Sequence, residues 1–210
     1  MLQNRPIDHI VYAVPNLEKA MDDFEKLTGI RPIFGGYHTT QGTKNAIVNL
    51  GNQAYLEILA VDDENTKISA PRWMGIDFIK LAKITRWALK STDLLHDSTV
   101  LKNYHSEMGG IQGGKRKMTN GQSLKWEMIM PLSYPMVELA PFFVDWQHSE
   151  AHPTDAMPDQ CQLLGLHFTH PNPEELMQQL SQLNLDWTIS SSKNVSIKMD
   201  IQTPKGRIRL

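Results

Sequence analysis

Residues 7–14 read IDHIVYAV, a stretch that has the composition and spacing of a buried β-strand. Because the side chains of a strand alternate between its two faces, His9 is predicted to share a face with Ile7, Val11 and Ala13. An imidazole that points into a protein needs a polar partner. The stretch therefore predicts a buried strand and marks His9 as a candidate site residue.

The strand is predicted to run directly into a helix over the following residues, PNLEKAMDDFEKLTG. Asn16 is placed to cap this helix, apolar residues recur at helical spacing, and Gly29 is placed to end it. Three short strands follow in IRPIFGGYH, KNAIVNLGN and AYLEILAVD, separated by turns that contain glycine. Residues 1–62 are thus predicted to form one βαβββ module.

The same order of elements recurs twice along the chain. Residues 84–153 are predicted to form a second βαβββ module, with Thr92-Asp93 at the cap of a helix over residues 94–110 and Asn120-Gly121 in a hairpin turn. Residues 160–210 are predicted to form a third, shorter βαβ-type unit, and residues 63–83 a linker with a short helix. All three units are expected to belong to one compact α+β domain, because a single module cannot bury its apolar face alone.

The repeats align without a gap at the corners between strand and helix. Six residues before these corners stand His9, Arg86 and Gly165. Arg86 is therefore predicted to take the place in the second module that His9 takes in the first.

The composition excludes several classes of protein. The 210 residues are 40% hydrophobic and carry a net charge of −2, so the chain has the apolar content for a core and no overall field that favours nucleic acid or a membrane surface. The basic run at residues 115–117 is interpreted as a solvated strand edge. A single cysteine, Cys161, excludes an internal disulfide, and neither a signal peptide nor a membrane span is predicted. A cytoplasmic protein with a small-molecule ligand is expected, and a homodimer stays open.

Paired βαβββ modules with an acidic residue in the last strand of each resemble the vicinal oxygen chelate superfamily, which includes glyoxalase I, extradiol dioxygenases and bleomycin or fosfomycin resistance proteins. The stretch GGYHTTQGTKNAIVNLGNQAYLEILAVD is similar to the signature of its glyoxalase-like domain branch. The positions that carry this similarity are Gly35, Gly36, His38, Gly42, Thr43, Asn45, Leu50, Gly51, Tyr55, Leu56, Glu57 and Asp62. RWALKSTDL, PFFVDW and His152-Pro153 resemble the second half, so that the likeness covers roughly residues 6–175.

The resemblance implies a curved half-barrel sheet around a pocket that commonly holds a divalent metal. The positions equivalent to the usual ligands are His9, Glu57, Arg86 and Asp145. An arginine cannot bind a metal, so the implied ligands are His9, Glu57 and Asp145, a set suited to Mg, Mn, Fe, Ni or Zn. Glu57 and Asp145 are also the implied catalytic carboxylates.

Arg86 leaves a second arrangement open, in which no metal is bound. Its guanidinium would then form a bidentate pair with Glu57 or Asp145. In either arrangement, these three side chains and His9 are expected to converge on one cavity.

Several further residues are candidates for substrate binding. They are Arg86, His38, Asn45, His152 and His167. Four tryptophans, at positions 73, 87, 126 and 146, are candidates to wall a pocket for an apolar or aromatic ligand, although tryptophans of a domain this size also pack its core.

Two functions are consistent with these features. One is a glyoxalase-like enzyme, a lyase or isomerase that acts beside a carbonyl group, with or without a metal. The other is a non-catalytic protein that sequesters a small molecule, as resistance proteins of this superfamily do. The fold itself does not choose between them.

Overall fold

The first strand, β1 (Ile7–Ala13), lies in the middle of a strongly curled sheet. The structure is a computed structural model that describes residues 5–117 and 122–210. The rest of the first module is α1 (Leu17–Thr28), β2 (Ile33–His38), β3 (Thr43–Asn49) and β4 (Tyr55–Val61). Strand β1 pairs in parallel with β4, and β3 and β2 continue the sheet in antiparallel pairs.

The second module repeats this arrangement. It consists of β5 (Lys83–Lys90), α2 (Leu94–Tyr104), β6 (Ile111–Lys117), β7 (Ser123–Ile129) and β8 (Phe142–Asp145). Strand β5 pairs in parallel with β8, and β7 and β6 continue the sheet beyond β8 in antiparallel pairs. The predicted hairpin turn at Asn120-Gly121 lies outside the described residues.

The two modules join through antiparallel pairing of β1 with β5. The result is the predicted half-barrel, with strand order β2-β3-β4-β1-β5-β8-β7-β6. Because β1 and β5 hold equivalent places, each parallel to the last strand of its own module, the predicted repeat is confirmed for these strands. A 3-10 helix over Trp73–Phe78 lies between the modules.

Local signals place both long helices. Asn16 caps α1 through a bond from the Lys19 N–H, and Gly29 ends it with a φ of 81°. Asp93 caps α2 by accepting from the His96 N–H at 3.0 Å. Helix α2 ends at Tyr104, earlier than predicted, because the backbone turns extended at His105.

The C-terminal unit contains β9 (Gln162–His170), α3 (Pro173–Gln179), β10 (Ile189–Ser191), β11 (Ser196–Thr203) and β12 (Gly206–Arg209). Strands β9 and β10 form a parallel βαβ unit around α3. Strand β11 lies beside β9 and touches β5 through Ile197 and Ile84. The unit thus extends the sheet at the start of β5.

Apolar side chains pack on both faces of the curled sheet. The larger cluster includes Ile10, Trp87 and Phe143, and side chains from all three α-helices pack in it. A smaller cluster, which includes Val11, Ala88 and Val144, lies on the inner face of the half-barrel. No helix within residues 5–117 and 122–210 is both long and apolar enough to cross a membrane.

Candidate active site

A cavity of about 380 Å³ opens on the inner face of the half-barrel. Its polar wall comes from the first module and contains His9 of β1, Asn45 of β3 and Glu57 of β4. Its apolar wall contains Trp126 and side chains from β7 and β8 of the second module. Both modules are therefore needed to form the cavity.

A β-bulge in β1 shapes the polar wall. Ile7 pairs with Leu89 of β5, and His9 pairs with Ala88, the residue directly before Leu89. Two steps along β1 thus match one step along β5, and Asp8 is the extra residue. A bulge of this kind locally breaks the alternation of side chains between the faces. Asp8 and His9 consequently reach each other, with Oδ1 of Asp8 2.6 Å from Nδ1 of His9.

The bulge also corrects the predicted faces of β1. Val11 and Ala13 lie in the inner cluster, on the same face as His9, as predicted. Ile7 instead packs against the larger cluster, on the face that the helices cover, because it precedes the bulge. Sequence reasoning missed Asp8, since strict alternation places it on the face opposite His9.

Asp8 is fully buried and anchors several side chains. Its Oδ2 accepts a bond of 2.7 Å from Nε1 of Trp146 and lies 3.6 Å from Nε2 of His152. Burial alone raises the pKa of Asp8, but the interactions with His152 and His9 and the bond from Trp146 outweigh it. The pKa of Asp8 therefore lies well below its ordinary value, and the residue is a buried carboxylate.

The carboxylate of Asp8 fixes the orientation of His9. An ionised carboxylate only accepts hydrogen bonds, so the hydrogen in this contact belongs to Nδ1 of His9. Tyr55 stacks on the imidazole at 4.7 Å, and Phe142 contacts it edge-on at 5.1 Å. Nε2 of His9 is thereby held 3.7 Å from Oε2 of Glu57.

Glu57 is buried and contacted on its other oxygen by a second group of residues. Nδ2 of Asn45 donates to Oε1 at 2.6 Å, and Nε2 of His38 lies 3.7 Å from the same atom. Nδ1 of His38 lies 3.0 Å from the hydroxyl of Thr43. A Cβ on Gly35 would come within 2.4 Å of Oδ1 of Asn45, so glycine makes room for the Asn45 side chain here.

Asp145 does not join this group, contrary to the expected convergence. Val144 lines the cavity, and Asp145 is the next residue of β8, so alternation turns it to the other face. Its Oδ1 accepts from the N–H of Gln147 at 2.7 Å.

Arg86 does not join the group either. It is only 1% exposed, and its guanidinium donates to the backbone carbonyls of Thr85, Leu132, Pro135 and Met136 at 2.7–3.1 Å. Burial lowers the pKa of Arg86 to about 10. The expected pairing of Arg86 with Glu57 or Asp145 is therefore wrong, because backbone carbonyls take up its donors.

The implied metal ligands do not fit a common centre. His9 and Glu57 face each other in the cavity, but Asp145 lies on the opposite face of the sheet. Among residues 5–117 and 122–210, no group of three or more His, Cys, Asp or Glu side chains is arranged to hold a metal ion.

The remaining candidates divide between the site and the rest of the fold. His38 and Asn45 line the cavity, whereas His152 lies behind it, against Asp8 and Tyr55. His167 belongs to the C-terminal unit, where Nε2 lies 3.0 Å from Asp200, so it takes no part in the site.

Three of the four candidate tryptophans line the cavity: Trp73, Trp126 and Trp146. Trp87 packs instead in the helix-side core, 4.9 Å from the ring of Phe168. Side chains of β5 alternate between the two faces of the sheet, and Trp87 points to the face that the helices cover.

Comparisons with known proteins agree with this architecture. The sequence profile of the glyoxalase-like domain family matches residues 7–184. No curated protein matches the chain. The match therefore assigns a domain family and leaves the reaction open.

Several solved structures are also similar to this chain. A hypothetical protein from Staphylococcus aureus is 19% identical, with a TM-score of 0.64 over 99% of this chain and 85% of that chain. Methylmalonyl-CoA epimerase from Mycobacterium tuberculosis is 20% identical, with a TM-score of 0.41 over 69% and 92% of the two chains. The epimerase from Streptomyces coelicolor, in complex with 2-nitronate-propionyl-CoA, is 16% identical, with a TM-score of 0.44 over 71% and 99%. The similarity to the Staphylococcus aureus protein shows the fold alone.

Proposed function

Because the chain belongs to the glyoxalase-like domain family, we propose that it is a small-molecule enzyme, a lyase or isomerase that moves a proton on a carbon beside a carbonyl group. One observation carries this proposal. Glu57 faces His9 across 3.7 Å at the wall of a cavity, while Asp8 holds the far side of the His9 ring. A carboxylate and an imidazole arranged in this way are a general acid–base pair.

The pair provides the two functions that such a reaction needs. Glu57 takes the proton as the C–H bond breaks, and the electron pair moves to the carbonyl oxygen to form an enolate. His9 accepts the proton of the hydroxyl group on that carbon at Nε2, the nitrogen that Asp8 leaves unbound, and delivers it to the former carbonyl oxygen. Glu57 returns its proton to the former carbonyl carbon, so that the carbonyl and hydroxyl groups exchange places and no oxidant or reductant is required.

Other groups of the site support these roles. Asn45 orients Glu57 through a bond of 2.6 Å to Oε1, which leaves Oε2 facing His9. Tyr55 restricts the His9 ring by stacking. Since the implied metal ligands do not converge, no step of the reaction is assigned to a metal.

A protein that sequesters a small aromatic compound is the second candidate. It is favoured by the three tryptophans that line the cavity. Such a protein would bind its ligand through these rings and would not exchange the protons of the ligand.

Deuterium exchange separates the two candidates. Hydroxyacetone, dihydroxyacetone and acetophenone are incubated with the protein in D₂O, and loss of the C–H signals beside the carbonyl is followed by proton NMR. The wild type is expected to accelerate exchange of at least one probe. Glu57→Gln should lower that acceleration by about 10²- to 10⁴-fold, the usual contribution of a general base. Binding of a probe without any accelerated exchange would support the sequestering protein and refute the enzyme.

A further inference from the structure

We propose that Trp126 and Trp146 form a subsite for a planar aromatic group of the substrate. The inference rests on the proposed function, because it places that group beside the pair formed by His9 and Glu57. Both indoles line the cavity and are partly exposed. Their centroids lie 5.7 Å apart, with an angle of 49° between the planes. This spacing leaves an aromatic surface that a ligand ring can extend.

The backbone of β6 makes room for the first ring. Gly114 and Trp126 are direct partners in the β6–β7 pairing. A Cβ at Gly114 would lie 2.3 Å from Cε2 and Cζ2 of Trp126, so any larger residue would displace the indole. Glycine weakens the interior of a strand and marks a close approach. Here the close approach is that of the Trp126 ring.

A buried hydrogen bond holds the second ring. Nε1 of Trp146 donates to Oδ2 of Asp8 at 2.7 Å, and His152 contacts the indole edge-on at 5.3 Å. The other oxygen of Asp8 binds His9. One carboxylate therefore sets the position of the aromatic surface relative to the acid–base pair.

The chemistry of this wall selects an aromatic ligand. Leu124, Met128 and Met130 complete the apolar lining around the indoles, and methionine sulfur packs favourably against rings. Indoles that are fixed before binding lose little conformational entropy when a ring stacks on them. An aliphatic carbonyl compound would gain burial there but no ring contact. The geometry thus points to aryl ketones that carry a C–H bond beside the carbonyl as the substrate class.

Binding of two ketones that differ in one ring tests the subsite. The affinities of acetophenone and acetone are measured by ligand-observed NMR with wild type, Trp126→Leu and Trp126→Phe. Acetophenone should bind wild type about tenfold or more tightly than acetone, with a Kd of about 1 to 10 mM. Trp126→Leu should weaken acetophenone by about fivefold or more, and Trp126→Phe should restore most of the loss.

Trp187→Leu is the matched control, because Trp187 packs against Trp87 and Phe168 outside this cavity. It should leave acetophenone binding unchanged. Thermal melting shows that each variant is folded. Should Trp126→Leu not fold, Gly114→Ala tests the same point by displacing the indole.

Two results would overturn the subsite. One is equal affinity for acetophenone and acetone, and the other is wild-type acetophenone binding by folded Trp126→Leu or Gly114→Ala. Tighter binding of acetophenone than of acetone, without accelerated proton exchange, would support the subsite and refute the proposed enzyme function. Accelerated exchange of the aliphatic probes, with no tighter binding of acetophenone, would support the enzyme function and refute the subsite.

Discussion

Replacing Arg86 by methionine tests the role that the structure gives to this buried guanidinium. Its donors bind four backbone carbonyls, three of which belong to the segment that precedes β8. The carbonyl of Leu132 also accepts from the N–H of Met74, whose side chain lines the cavity. Arg86 is therefore expected to hold this segment in place and, through it, the position of Met74 in the cavity lining.

The magnitude follows from two opposing effects. Hydrogen bonds from a charged donor contribute about 1.5 kcal/mol each, so four of them contribute about 6 kcal/mol. Burial lowers the pKa of Arg86 from its ordinary value to about 10, which corresponds to about 3 kcal/mol of unfavourable desolvation. Arg86→Met should therefore lower the free energy of unfolding by about 3 kcal/mol. For a chain of this size, the Tm should fall by about 6 to 12 °C.

Urea and thermal unfolding of the variant measure this loss. Lys83→Met, which removes an exposed cation at the start of the same strand, should change stability by less than about 0.5 kcal/mol. An Arg86→Met protein as stable as wild type would show that the hydrogen bonds from Arg86 to the four carbonyls contribute no net stability.

Three further predictions concern single residues. The pKa of Asp8 is lower in the folded chain than in the unfolded chain, so its contribution to stability should be complete above about pH 4 and decline as the pH falls. Acid unfolding of Asp8→Asn should therefore depend less on pH than that of wild type below about pH 4. Gly75 has a φ of 71°, and a Cβ there would lie 2.4 Å from the Met136 carbonyl oxygen, so Gly75→Ala should lower stability by more than about 1 kcal/mol in urea unfolding. Asp93→Ala removes the cap of α2 and should lower stability by about 1 kcal/mol, whereas an unchanged Tm would contradict the capping role.

The repeat and the half-barrel could be predicted from sequence because they depend on local signals. Asn16, Gly29 and Asp93 mark the helix ends, and alternation of apolar residues marks the strands. The family signature added the pairing of the two modules. These signals are short-range, and the structure reproduces them.

The site could be predicted only in part. His9 and Glu57, which the family resemblance implies as site residues, both line the cavity, and the bulge leaves His9 on the inner face of the sheet. Asp8 was missed because a bulge depends on how β1 pairs with β5, which no local pattern records.

The analogy between the modules predicts Asp145 and Arg86 in the site, but it fails for the positions of these two side chains. One residue of offset puts Asp145 on the outer face of the sheet. The guanidinium of Arg86 donates hydrogen bonds to the carbonyls of residues 132, 135 and 136 and therefore does not pair with Glu57. The path of that loop segment is a tertiary feature that the repeat cannot predict.

We propose Glu57, and not Asp145, as the carboxylate that takes the proton from the substrate. The most direct measurement compares the rates at which Glu57→Gln and Asp145→Asn exchange the protons beside the carbonyl of the most reactive probe in D₂O. Asp145→Asn should exchange these protons within about twofold of the wild-type rate, whereas Glu57→Gln should be at least about 10²-fold slower. Equal losses in the two variants, or a loss confined to Asp145→Asn, would contradict it.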